Sequence, residues 1–196
     1  MADPAYIVDG VLTDGEAWVA LASTTVAGSD ATSVTFTSTD DGQVGDWSQY
    51  MDLVVIAYVR SAYAATSDRY RIRLNTDYTQ TYWYQYMVGD GSADTASHTS
   101  DYSIIAANVM IANTAPANMF GMAVTRLCDI NSGKWTTAMS VASSTDAGDD
   151  LTYVQMTGGI YTKQAPIIAL WCDCNNGDVL IGSRFDVFGV LPRMVA

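Results

Sequence analysis

The stretch RYRIRLNTDYTQTYWYQYMV, residues 69–88, decides the fold class. Tyr70, Ile72 and Leu74 alternate with Arg69, Arg71 and Arg73, and strict alternation is the two-residue period of a half-buried strand. After the turn signal NTDYTQ, the run TYWYQYMV sets Tyr82, Tyr84 and Tyr86 on one face and Trp83, Gln85 and Met87 on the other. Two such runs joined by turn residues read as neighbouring antiparallel strands, with Trp83 and Met87 offered to the core.

The same pattern extends in both directions. Upstream, EAWVALAS and SVTFTST alternate, and DLVVIAYVR, from Asp52 to Arg60, is apolar on both faces. A strand of that kind is central in its sheet or packed against a neighbouring subunit. Downstream, GDGSADTASHTSD reads as a long polar loop with nothing to bury. Further strands are expected at YSIIA, MFGMAVTRLCDI, KWTTAMSVA, LTYVQMTGGIY, PIIALWCD and RFDVFGVL. Their connections, DINSG, SSTDAGDD, TKQAP and CNNGD, are turn chemistry. Helix is confined to a turn or two around GDWSQYM. About ten strands at near-even spacing predict an all-β, single-domain antiparallel β-sandwich that is jelly-roll-like. The domain is expected to cover residues 1–196, with a short N-terminal arm over about residues 1–15.

Composition agrees. Glu16 is the one glutamate among 21 acidic residues, and Lys134 and Lys163 are the only lysines, so little is present to cover a surface helix. A formal net charge of -12 repels phosphate backbones and anionic lipid alike, which argues against nucleic acid and membrane as partners. No apolar run approaches the roughly 18 residues of a membrane span. The opening MADPAYIVDG has neither a basic end nor an apolar stretch, so synthesis in a cytoplasm is expected. Cys128, Cys172 and Cys174, with the single histidine His98, lack the ligand spacing of a zinc site and read as reduced, mostly buried thiols.

Catalytic chemistry has little to work with. His98 lies in the polar stretch SADTASHTSD, and no GxSxG, GxxxxGK[ST] or GxGxxG motif is present. The aspartates crowd turn contexts such as TDDG, DAGDD and NNGD, where the side chain caps its own backbone. Asp173 to Asp178, and the group Asp40, Asp41 and Asp46, offer oxygens to calcium but lack the rest of an EF-hand loop. The expectation is a protein that is not an enzyme, with no cofactor and no metal.

Two stripes are candidate contact faces. Arg69, Arg71 and Arg73 either form a solvated outer face with Asp partners across the strands or anchor the chain to acidic loops of another subunit or partner. Tyr82, Tyr84 and Tyr86 are ordinary sheet tyrosines, a half-wet interface or a sugar-stacking platform. Trp135, in NSGKWTT beside a turn, is the candidate glycan contact.

The layout resembles small all-β virion proteins of tailed bacteriophages, a group that includes capsid decoration (cement) proteins, head fibres and tail appendages. The likeness begins with Trp18, Leu21 and the SVTFTS strand, and continues through Tyr50 and DLVVIAYVR. It is most distinctive in RIRLNTDYTQTYWYQY, and closes with GSRFDVFGVL and its Phe185, Phe188 and Gly189. The resemblance implies a non-enzymatic structural protein of the virion, made in the cytoplasm of a bacterial host and carried on the capsid surface. It implies a homo-oligomer, with a trimer favoured, whose partners are the major capsid protein or other virion proteins. The first reading is a decoration protein that binds the assembled shell and stabilises it. A head-fibre or tail-fibre module that binds host-surface glycan is the alternative, and a sandwich-fold carbohydrate-active enzyme the third.

Overall fold

The computed structural model describes residues 7–8, 11–12, 18–146 and 151–191. Its strands are β1 (Ile7–Val8), β2 (Val11–Leu12), β3 (Trp18–Thr25), β4 (Val34–Thr37), β5 (Asp52–Val59), β6 (Ser67–Leu74) and β7 (Tyr82–Gly89). They continue with β8 (Asp94–Tyr102), β9 (Ala106–Ile111), β10 (Gly121–Cys128), β11 (Thr136–Asp146), β12 (Leu151–Tyr161), β13 (Ala169–Cys174) and β14 (Arg184–Val190). Most of the expected N-terminal arm lies outside the described residues, apart from the antiparallel pair of β1 and β2. Among the described residues, the one helical segment is a 3-10 turn at Trp47–Gln49, within GDWSQYM, where the Asp46 carboxylate accepts from the Ser48 N–H.

From β3 onward the strands form two antiparallel sheets. One has eight strands in the order β3-β14-β5-β10-β11-β12-β7-β8, and the other has four in the order β4-β13-β6-β9. The sandwich read from the sequence is present, with twelve strands in its two layers. Between the layers are buried Leu53, Val55, Ala57 and Val59 of β5, Tyr70, Ile72 and Leu74 of β6, Leu170 and Cys172 of β13, and Phe185 and Val187 of β14. β5, apolar on both faces, lies between β14 and β10 inside the large sheet.

Three expectations about the strands are corrected. β6 and β7 are not neighbours: β6 lies between β13 and β9 in the small sheet, β7 between β12 and β8 in the large one. Asn75 and Thr76 take left-handed φ values of 53° and 51°, and the turn they form carries the chain from the small sheet towards the large one. Asn75 locks this turn, donating to Pro166 O and accepting from the Ile168 N–H, both at 2.8 Å. Beyond the end of β9 pairing at Ile72, the Tyr82 hydroxyl takes over the free backbone of Leu74. It donates to Leu74 O at 2.9 Å and accepts from Leu74 N–H at 3.1 Å.

The second correction concerns GDGSADTASHTSD, which forms a hairpin turn and the strand β8 rather than a loop. An edge strand with both faces in water has no need of apolar residues. Its turn is held by Asp90, which accepts from Ser92 N–H at 2.9 Å and Ala93 N–H at 2.7 Å, with Gly91 at a φ of 88°. The strand expected at YSIIA falls instead at Ala106–Ile111.

β9 is the edge of the small sheet, yet its free side is not left to water. Gln155 of β12 accepts from Val109 N–H at 2.9 Å and donates to Ala107 O at 2.6 Å. Ser144 adds a bond to Val109 O at 3.2 Å. One amide side chain therefore stands where another strand would pair. Gln155→Leu leaves a buried donor and a buried acceptor without this partner, and is expected to cost about 3 kcal/mol of unfolding free energy. Urea denaturation checks this; a change below about 1 kcal/mol contradicts it.

Candidate interaction face

Alternation along β11 and β12 runs against the usual rule of apolar side in, polar side out. Thr136, Ala138, Ser140, Ala142 and Ser144 are buried on β11, and Gln155 and Thr157 on β12. The apolar bulk points out: Met139 and Val154 are each 57 % exposed, Val141 46 % and Met156 44 %. Small inner residues are required because β9 and the chain leading into it lie directly against this side. A Cβ on Gly159 would sit 1.9 Å from Ile105 O. Asn108 of β9 donates to Ser140 Oγ at 2.9 Å, which is itself 2.8 Å from Thr125 Oγ1.

Strand register joins the outward residues into one surface. Tyr58 of β5 lies opposite Met122 of β10, then Ser143 of β11 and Val154 of β12. The next row runs Ile56, Val124, Val141, Met156 and Met87 across β5, β10, β11, β12 and β7. Charges bordering these rows are paired within the chain. Arg126 donates from Nε to Asp52 at 2.9 Å, and Arg184 meets Asp186 at 3.0 Å.

The arginine stripe lies on the other side of the sandwich, on the outer face of the small sheet. Arg71 grips Asp173 of β13 with both Nε and Nη2 and donates from Nη1 to Asn175 Oδ1 at 2.8 Å. Arg73 reaches the same carboxylate at 3.2 Å and lies over the Trp171 ring at 4.2 Å and the Tyr78 ring at 5.1 Å. Arg69 is exposed, its guanidinium 5.6 Å from the centre of the Tyr86 ring. The structure thus brings Arg71 and Arg73 together on an Asp partner across the strands and leaves Arg69 apart.

The tyrosine stripe points inward. Tyr82 and Tyr84 are buried and Tyr86 half-buried, with Tyr82 stacked on Tyr161 at 4.8 Å. Burial raises the phenols of Tyr82 and Tyr161 above their ordinary value. Trp83 and Met87, expected in the core, are instead 47 % and 54 % exposed. Trp135 is half-exposed just ahead of β11. Cys172 and Cys174 are buried, and burial pushes both thiols up to about 12. Among the described residues no group of three or more His, Cys, Asp or Glu is placed to hold a metal ion.

The face that sequence reasoning missed is that of Met122, Met139, Val141, Val154 and Met156. Its signal was the run of Ala and Ser in TTAMSVASS and the Gly pair in VQMTGGIY, small residues that mark the side approached by another backbone. Arg73→Ala removes a buried guanidinium that covers Trp171 but leaves Asp173 paired with Arg71, and is expected to cost about 1.5 kcal/mol. Arg69→Ser is expected to stay within about 0.5 kcal/mol. Urea titration of both variants separates them, and equal effects would contradict the assignment.

No protein-family model and no curated protein matches the chain. Among solved structures, it is similar to the CBM2 module of Lactobacillus casei BL23 phage J-1 evolved Dit, at 8% identity over 83% of this chain and 70% of that one. The TM-score is 0.18, and an overlap that low carries no argument about fold or function.

Proposed function

We propose that this chain is a non-enzymatic structural protein of a phage virion, a capsid decoration protein that docks on the assembled shell through the outer face of its large sheet. The observation that supports this reading is the reversed alternation of β11 and β12. Folding alone gives no gain from placing Met139, Val141, Val154 and Met156 in water. A partner that covers them recovers that burial. With Tyr58, Met122 and Met87, these side chains present on the order of 700 Å², close to the ~800 Å² that each partner contributes to a standard interface. DLVVIAYVR fits the same reading at one end: on its second apolar face, Val54, Ile56 and Tyr58, the chain itself buries Val54, half-buries Ile56 and leaves Tyr58 exposed.

Docking of this kind stabilises a shell by mass action, because it favours the assembled lattice over free capsid subunits. Many copies of a modest contact add up along the lattice, and a symmetric trimer would multiply the contact again. Because the face is apolar, attachment should persist at high salt.

Met139→Asp combined with Met156→Asp tests the proposal. Both positions are exposed, so the variant is expected to fold and melt within a few degrees of the parent. It should fail to attach to particles from which the protein has been genetically removed. Attachment at parental occupancy would overturn the proposal. Quantitative mass spectrometry of purified particles adds a second test. An abundance near that of the major capsid protein is expected, and one lower by about an order of magnitude would indicate a fibre or tail appendage.

A further inference from the structure

The two adjacent glycines of β12 differ in what the fold asks of them. Gly159 faces inward and is needed for the approach of Ile105 O. Gly158 faces outward, and a Cβ there would meet nothing within 4 Å. Glycine inside a strand weakens it and often marks a place where a ligand or another backbone comes close. Among the described residues, no backbone comes within 4 Å of a Cβ at Gly158. Above it opens a groove of about 470 Å³, within the size range of small-molecule sites.

Register places the walls. Gly158 lies opposite Gln85 of β7, and Gln85 opposite His98 of β8. One row along, Ile160 lies opposite Trp83. The groove thus has a bare floor, a half-exposed indole at one end, and an amide and an imidazole side by side next to it. Ser100 contributes a hydroxyl to the lining. No Asp, Glu, Lys or Arg is among the described residues that line it. It lies towards the β8 edge, one to two rows beyond the Met156–Met87 row.

We infer that this groove binds a neutral sugar ring. A pyranose has an apolar face of C–H groups that lies flat on an indole, and a rim of hydroxyls that both donate and accept. Gln85 supplies donors and an acceptor, and His98 supplies ring nitrogens, at the distance of one strand spacing from each other. An anionic ligand would meet no cation in the lining and would be repelled by a chain of net charge -12. A purely hydrocarbon ligand would strip water from Gln85 and His98 without replacing their hydrogen bonds. A neutral polyhydroxylated ring satisfies all three conditions.

The test uses the free chain, so its outcome does not depend on shell docking. A printed array of neutral hexose and N-acetylhexosamine oligosaccharides is screened first, and the best probe is titrated by calorimetry. Binding with a Kd near 1 mM is expected, as suits a single stacked ring in an open groove. Trp83→Ala should weaken it by at least about tenfold, the effect of losing an aromatic anchor. Gly158→Val fills the floor and should abolish binding while leaving the melting temperature equal or higher, which separates loss of the site from loss of the fold. Trp135→Ala should bind as the parent does. No binding to any neutral probe, or binding that survives both Trp83→Ala and Gly158→Val, would overturn the inference.

Discussion

The close approach of β9 to the inner side of β11 and β12 is the constraint on which the rest of the molecule depends. Where that backbone comes within reach of Gly159 and is bonded by Gln155, Ser144 and Thr157, the inner side holds small or hydrogen-bonding residues, and the large Tyr161 is buried further along, on Tyr82. The contact is polar because β9 ends its own sheet and its outer N–H and C=O groups must find partners. Side chains from the facing sheet provide them. The small sheet is thereby tied to the large one by hydrogen bonds at one edge and by apolar packing of Tyr70, Ile72, Leu74 and Phe185 elsewhere.

That arrangement reverses the large sheet locally. Strand alternation allows only two faces, so placing Ala138, Ser140, Ala142 and Ser144 of β11 and Gln155, Thr157 and Gly159 of β12 on the inner side sends Met139, Val141, Val154 and Met156 outward. The two outer faces of the sandwich then differ in kind. The small sheet shows a closed network in which Asp173 serves Arg71 and Arg73 and Trp171 covers the latter. The large sheet shows uncharged, flexible apolar side chains, with Trp83 and the Gly158 groove towards its β8 edge. A surface of that composition adapts well to another protein, since methionine repacks easily.

Much of this was legible in the residues. The alternation of Tyr70, Ile72 and Leu74 named their buried face, and the turn motifs placed most strand ends. Alternation of Arg69, Arg71 and Arg73 with apolar residues allows Asp partners across the strands, and Asp173 is that partner although it lies about a hundred residues away. Alternation in TYWYQYMV showed two faces but not which one is buried, because tyrosine suits either side when its hydroxyl finds a partner, as Tyr82 does on Leu74. The link NTDYTQ looks the same whether a chain turns back within a sheet or crosses to the facing one. Left-handed φ at Asn75 and Thr76 serves a hairpin equally well, so the turn residues do not tell the two apart. What decides is where the flanking strands find partners, β6 on β13 and β9, β7 on β12 and β8. β8 was hidden because an edge strand in water carries no hydrophobic signal.

The central claim is that the apolar outer face of the large sheet is covered on the particle. Methionine oxidation footprinting reads this directly, since sulfoxide formation follows exposure. Free chain and particle-bound chain are treated with the same dose of peroxide and compared residue by residue. Met139, Met156, Met87 and Met122 should oxidise in the free chain and be protected on the particle, with buried Met110 unreactive in both. Equal oxidation of these four in both states would contradict the account.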